Sequence, residues 1–192
     1  MSTALANYEP KYVAKKAMFS FMGSAFRLFS PTGELAFFVK QKAFKLKEEI
    51  TVCADEAQQN PRLRIKARSI MDVSATYDVT DAASGSVVGA LRRKGLKSII
   101  RDEWAILNND QEVGKVIEDS GFLAILRRIF PIIPQTFKVS MGDVEVGMIK
   151  QRFNPFQLAY DVDFSADTGN KLDRRLAVAT VVLLLAIEGR QK

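Results

Sequence analysis

The sequence predicts a mainly β fold, a closed antiparallel barrel of about twelve strands around a central apolar C-terminal α-helix. Three observations predict it. A hairpin pattern recurs along the chain, the strand-like runs outnumber what one flat sheet holds, and the stretch 176–187 carries a single polar residue, Thr180.

The hairpins come in one form. Tyr77-Asp78-Val79-Thr80 turns through Asp81 to Gly85 and returns as Val88-Gly89-Ala90-Leu91. Trp104-Ala105-Ile106-Leu107 turns at Asn108-Asn109-Asp110 and returns as Val113-Gly114-Lys115-Val116. Phe137-Lys138-Val139-Ser140 turns at Gly142-Asp143 and returns as Val146-Gly147-Met148-Ile149. An earlier version runs from Phe26-Arg27-Leu28-Phe29 through Pro31-Thr32-Gly33 to Leu35-Ala36-Phe37-Phe38. Aromatic and β-branched residues suit a pleated, half-buried surface, and Asn, Asp and Gly supply the turn dihedrals. A glycine weakens a strand, so Gly89, Gly114 and Gly147 need a bulge or a close backbone approach to explain them.

Further strands are predicted over 12–21, 50–54, 62–69 and 157–164, and short helices over 42–47 and 121–130, the latter stopped by Pro131. The terminal helix reads as 173–189, with Asp173 to start it and Gly189 to end it. It has no polar face, so it is buried all round. Twelve residues span about 18 Å, short of the roughly twenty that a bilayer core needs. A filled barrel lumen therefore suits it better than lipid, and a tail anchor is the rival. The 192 residues read as one domain, 1–192, with 1–10 as a flexible tail.

Composition narrows the function. There is no histidine, which removes the usual general base, zinc ligand and imidazole triads. Cys53, the one cysteine, forms no internal disulfide and reads as a buried strand residue. No phosphate-binding loop, dinucleotide fingerprint or serine elbow occurs, so the chain reads as non-enzymatic and without a cofactor. With no signal-like N-terminus, a cytoplasmic location is expected. The net charge of +6 favours anionic partners or serves solubility alone.

The hairpins of the form Trp104-x-Ile106, Asp110, Val113-Gly114-x-Val116, and the apolar helix after Asp161-Val162-Asp163-Phe164, resemble the tubby C-terminal-like superfamily. Within it the likeness is to the LURP-one-related and phospholipid-scramblase branches, from about Phe26 to Glu188. The resemblance implies a barrel of about twelve strands enclosing its terminal helix. It also implies binding of anionic lipid or phosphoinositide.

Four constellations are candidates for a site. Arg62, Arg64, Lys66 and Arg68 alternate with apolar residues, which places them on one strand face as a phosphate-reading row or as a charged edge strand. Arg92, Arg93 and Lys94, with Lys97, extend that patch if they adjoin it, or pair with Asp102 and Glu103. The segment 121–130 lids the barrel or lies in a membrane interface. Asp161, Asp163 and Asp167 have calcium-loop spacing, but Ala166 stands where the sharp turn wants glycine and Leu172 where a bidentate glutamate belongs.

The expected function is thus a binding module for anionic phospholipid or phosphoinositide head groups, peripheral at a membrane. A scramblase-like or tail-anchored protein and a protein-interaction scaffold are the alternatives. Nucleic acid ranks last, because few aromatics interleave with the basic row.

Overall fold

A computed structural model of the chain describes residues 8–17, 24–41, 49–68, 75–95, 102–119, 134–154 and 157–187. The strands are β1 (Lys11–Ala17), β2 (Ser24–Phe29), β3 (Leu35–Gln41), β4 (Ile50–Cys53), β5 (Pro61–Ala67) and β6 (Thr76–Asp81). They continue as β7 (Val87–Arg93), β8 (Glu103–Asn108), β9 (Gln111–Glu118), β10 (Thr136–Met141), β11 (Val144–Arg152) and β12 (Gln157–Asp163), before helix α1 (Arg174–Ile187). Each strand pairs antiparallel with its sequence neighbours, and β12 closes on β1, with Lys11 opposite Asp163 and Ala17 opposite Gln157. The four hairpins form as their patterns predict. The helical readings at 42–47 and 121–130 lie outside the described residues.

Alternation on the strands sends Phe26, Leu28, Ile65, Val79, Ile106 and Ile149 inward, where they join α1 in one core. The repeated Val-Gly has a structural cause. Val79 pairs with Gly89 and Thr80 with Val87, so Val88 is an extra residue on β7. Val113, Val146 and Ala36 are skipped in the same way. Such β-bulges bend and twist a strand, which is what closing a sheet on itself requires. At Gly89, with φ at 152°, a Cβ would stand 2.7 Å from the Leu107 carbonyl oxygen and 2.9 Å from Leu176 Cδ1, so the strand gives way to neighbouring β8 first and to the helix as well. Gly147 gives way instead to Phe164, the residue that leads the chain off β12, and Gly114 to the neighbouring Ser140 carbonyl.

Residues Leu176–Ile187 of α1 are all buried, and no helix among the described residues is long and apolar enough to cross a membrane. The helix starts on Asp173, whose carboxylate accepts the Arg175 N–H at 2.8 Å and whose carbonyl accepts the Ala177 N–H at 3.0 Å. Thr180, its polar residue, donates to the Leu176 carbonyl at 2.8 Å. Lys16 reaches the Leu185 carbonyl at 3.4 Å, placing a cation at the negative end of the helix dipole.

The barrel thus has two mouths, one where α1 enters and one where it ends. Residues 8–10, read as part of a flexible tail, are tied down at the entry mouth. Phe164 donates its N–H to the Pro10 carbonyl at 2.7 Å, and Tyr8 stacks on Phe37 at 5.1 Å. Tyr12 lies beneath, its phenol pushed up to about 12 by burial.

Asp81 joins the barrel wall to the helix here. It accepts the Ala83 and Ser84 N–H groups at 3.1 and 3.0 Å and meets Arg175 at 3.3 Å. The Ser84 N–H above all, then the Ser84 hydroxyl and Arg175, holds its carboxyl below the usual value. A carboxyl depressed in the folded state stabilises above its unfolded value, near 3.9, and loses that contribution as pH falls through the folded one. Asp81→Asn is therefore expected to cost about 1–3 kcal/mol at neutral pH. In denaturant titrations across pH, its gap from wild type should close below about pH 4.

Candidate functional site

Strand β5 lies between β4 and β6 in the closed barrel, so its charges do not guard a free edge. Its alternation buries Leu63 and Ile65 and exposes Arg64 and Lys66, with Arg68 exposed one residue past the strand. Arg62 departs from the predicted row. Val52 pairs with Leu63 and Cys53 with Pro61, which makes Arg62 the extra residue of another bulge. In the four hairpin bulges that position packs against the core, through Ala36, Val88, Val113 and Val146. Arg62 is accordingly half-buried, and its charge is felt by the Tyr8 phenol at the entry mouth. Period-2 reasoning missed this because one inserted residue shifts every side chain beyond it to the other face.

The outward row is therefore Arg64, Lys66 and Arg68. Arg64 lies 3.6 Å from Glu49. Arg68 is gripped by Asp78, at 2.8 and 2.9 Å from Nε, and also by Asp110, and both carboxylates raise its pKa through these hydrogen bonds. Lys66 has no ion pair among the described residues.

The second cluster divides. Arg92 faces outward and adjoins the row, since Arg68 and Arg92 lie on either side of Thr76 across β6. Arg93 stands in register with Trp104 and turns inward, where it meets the buried Asp102 at 2.9 Å. Lys94 bridges Glu103 at 3.1 Å and Glu112 at 2.7 Å, and Glu112 also lies 3.8 Å from Arg92. The two clusters thus converge, but Asp78, Asp110, Glu103 and Glu112 come with them. On the same outer surface lie Ala90, Ala105 and Leu107, an apolar cluster separate from the core yet buried. Much of this charge is a lattice of opposite signs on the barrel wall, and Lys97 lies outside the described residues.

The acidic trio does not assemble. Asp161 is held by Arg152 at 2.6 Å, and Asp163 by Lys11 at 3.0 Å and the Ser165 N–H at 2.8 Å. Asp167 is buried and accepts the Lys171 and Leu172 N–H groups at 2.8 and 3.1 Å, capping the turn before α1. Among the described residues no three carboxylates come close enough to hold a metal. Cys53 is buried on the outer side of β4, and burial pushes its thiol up, away from nucleophilic use.

The mouth where α1 ends holds polar side chains that sequence reading passed over. Lys16 lies inside the barrel over the Phe26 ring at 5.1 Å. Glu118, also buried, accepts from the Asp102 N–H at 3.4 Å and from Gln135 at 3.5 Å, and Tyr160 reaches Gln135 at 3.4 Å. The available signal was alternation: Lys16 follows Tyr12 and Ala14 on one face, as Glu118 follows Val116. An open cleft of about 290 Å³ on the outside of β9–β11 is lined by Lys115 and Lys138 but also by Asp119, Asp143 and Glu145. Its mixed lining favours neither sign of ligand.

Comparison with known proteins bears on the fold. A family model described as LURP-one-related matches residues 35–185. A solved structure of an Arabidopsis thaliana protein matches with a TM-score of 0.54 at 14% identity, covering 98% of this chain and 99% of that one. No curated protein matches the sequence.

Proposed function

We propose that this chain, which belongs to the LURP-one-related family, is a non-enzymatic binding module for anionic phospholipid or phosphoinositide head groups at a membrane surface. The observation that supports the reading is the outward row on β5, where Arg64 and Lys66 are exposed side by side and Lys66 has no ion pair among the described residues. Arg68 and Arg92 continue the row around the barrel. An arginine offers a fork of donors to phosphate oxygens and a lysine a movable point charge, so the pair reads a phosphate-rich surface rather than one fixed ligand. A head-group phosphate would compete with Glu49, Asp78 and Glu112 for these cations, which makes attachment weak and sensitive to salt.

Vesicle sedimentation tests the reading. Recovery should be higher on phosphatidylserine- or phosphoinositide-containing vesicles than on pure phosphatidylcholine, and should fall as salt rises. Each basic group near such a surface contributes about 1 kcal/mol. The double variant Arg64→Glu, Lys66→Glu reverses two charges and is expected to weaken binding by a hundredfold or more, to order of magnitude. Arg62→Gln, at the bulge, is expected to change it little. Equal recovery on neutral and anionic vesicles at low salt would end the proposal.

A further inference from the structure

The wall of the barrel is not joined equally well all round. Among the described residues β3 and β4 share one register pair, Phe38 opposite Cys53. Every other pair of neighbouring strands stays paired over four positions or more. Val39 and Lys40 on one strand, and Thr51 and Val52 on the other, take no register partner across this junction. On its far side β4 meets the Arg62 bulge between Val52 and Cys53, so Cys53 sits where the ladders are interrupted on both sides. A barrel lacks edges only while its ring of ladders is unbroken, and the junction with the least pairing is where that ring parts first.

Side chains bridge this junction from outside. Phe37 and Val39 join the core, while Phe38 between them faces outward and is still only 6% exposed. The Arg27 guanidinium, from β2, lies over the Phe38 ring at 5.4 Å. The same group donates to both carboxylate oxygens of Glu56, at 2.7 Å from Nε and 3.3 Å from Nη2. Glu56 stands in the turn that leaves β4, so the pair passes over β3 and ties β2 to the far side of the junction. That turn is a firm anchor, because the Asp55 carboxylate accepts the Gln59 and Asn60 N–H groups at 3.1 and 2.8 Å.

We infer that the barrel has a built-in seam between β3 and β4, held shut by the Arg27–Glu56 clasp over Phe38. Opening there parts Phe38 from Cys53 and leaves the other ladders and α1 in place. An exposed ion pair and a ring under a cation each contribute little, so the clasp yields before the fold does. The inference is independent of the head-group reading and needs no ligand.

Cys53 reports the event, since it is the one thiol in the sequence, lies at the seam and is 2% exposed. The full chain is incubated with N-ethylmaleimide over a series of urea concentrations below its unfolding transition, and modification is followed by mass spectrometry. Local parting exposes little surface, so the rate is expected to stay nearly constant with urea. It should exceed the rate that global unfolding permits by about a hundredfold or more. A rate that climbs with the full urea dependence of unfolding overturns the inference. Glu56→Gln, which leaves the Arg27 stem over Phe38, is expected to raise the urea-independent rate about threefold. An unchanged rate in that variant overturns the role given to the clasp.

Ala105→Cys in a Cys53→Ser background supplies the comparison. Ala105 also lies outside the main core and has no exposed surface, but on β8 it is in register with Arg92 on one side and Lys115 on the other. A thiol at 105 is expected to react only with the urea dependence of unfolding. Labelling at 105 as fast and as independent of urea as at 53 overturns the seam, since the whole wall would then open alike.

Discussion

Val182→Asp is expected to abolish the cooperative fold of the protein. Val182 lies at the middle of α1 with no exposed surface, and residues on every side of the helix are buried with it. An aspartate there is either ionised without a partner or protonated without an acceptor. The cost is about 4 kcal/mol or more, a large part of what a domain of this size has. Val182→Ala removes two methyl groups and is expected to cost about 2 kcal/mol while leaving a cooperative transition. Near-UV circular dichroism and urea melts of the two variants check this. An aspartate variant that melts like wild type would mean that α1 does not fill the barrel.

Gly147→Ala is expected to destabilise by about 3 kcal/mol or more, lowering the melting temperature by about 6–12 °C. The new Cβ would overlap Phe164 Cδ1 and stand 2.8 Å from Cε1 and 2.9 Å from the Asp163 carbonyl oxygen. Phe164 is 1% exposed and begins the turn that carries the chain into the lumen, so it has little room to withdraw. Pairing the change with Phe164→Leu should recover part of the loss, giving a double variant more stable than the sum of the singles. Strict additivity in calorimetry would show that the clash is not the cause.

Much of the barrel is legible in the sequence because its signals are local. Turn residues fix the hairpins, alternation fixes the faces, and Leu176–Ile187 is so uniformly apolar that it needs shelter all round. The glycines were legible as anomalies, and the bulges beside them supply the reason. The site was less legible. Arg62 and Arg93 read as members of basic clusters, yet one sits on a bulge and the other faces inward toward Asp102. Asp110 reads as a turn residue and becomes a partner of Arg68, forty-two positions earlier in the chain.

By itself the sequence determined the strand count, the hairpin order, the buried helix and the excess of basic charge, since each follows from residue type, spacing or a simple tally. Tertiary structure decided which cations share a surface and which carboxylates oppose them. Those depend on register and closure, and a single bulged residue or one strand's direction sends a side chain to the other face or the other end. Coulombic interaction acts through space rather than along the chain, so its outcome waits on the fold.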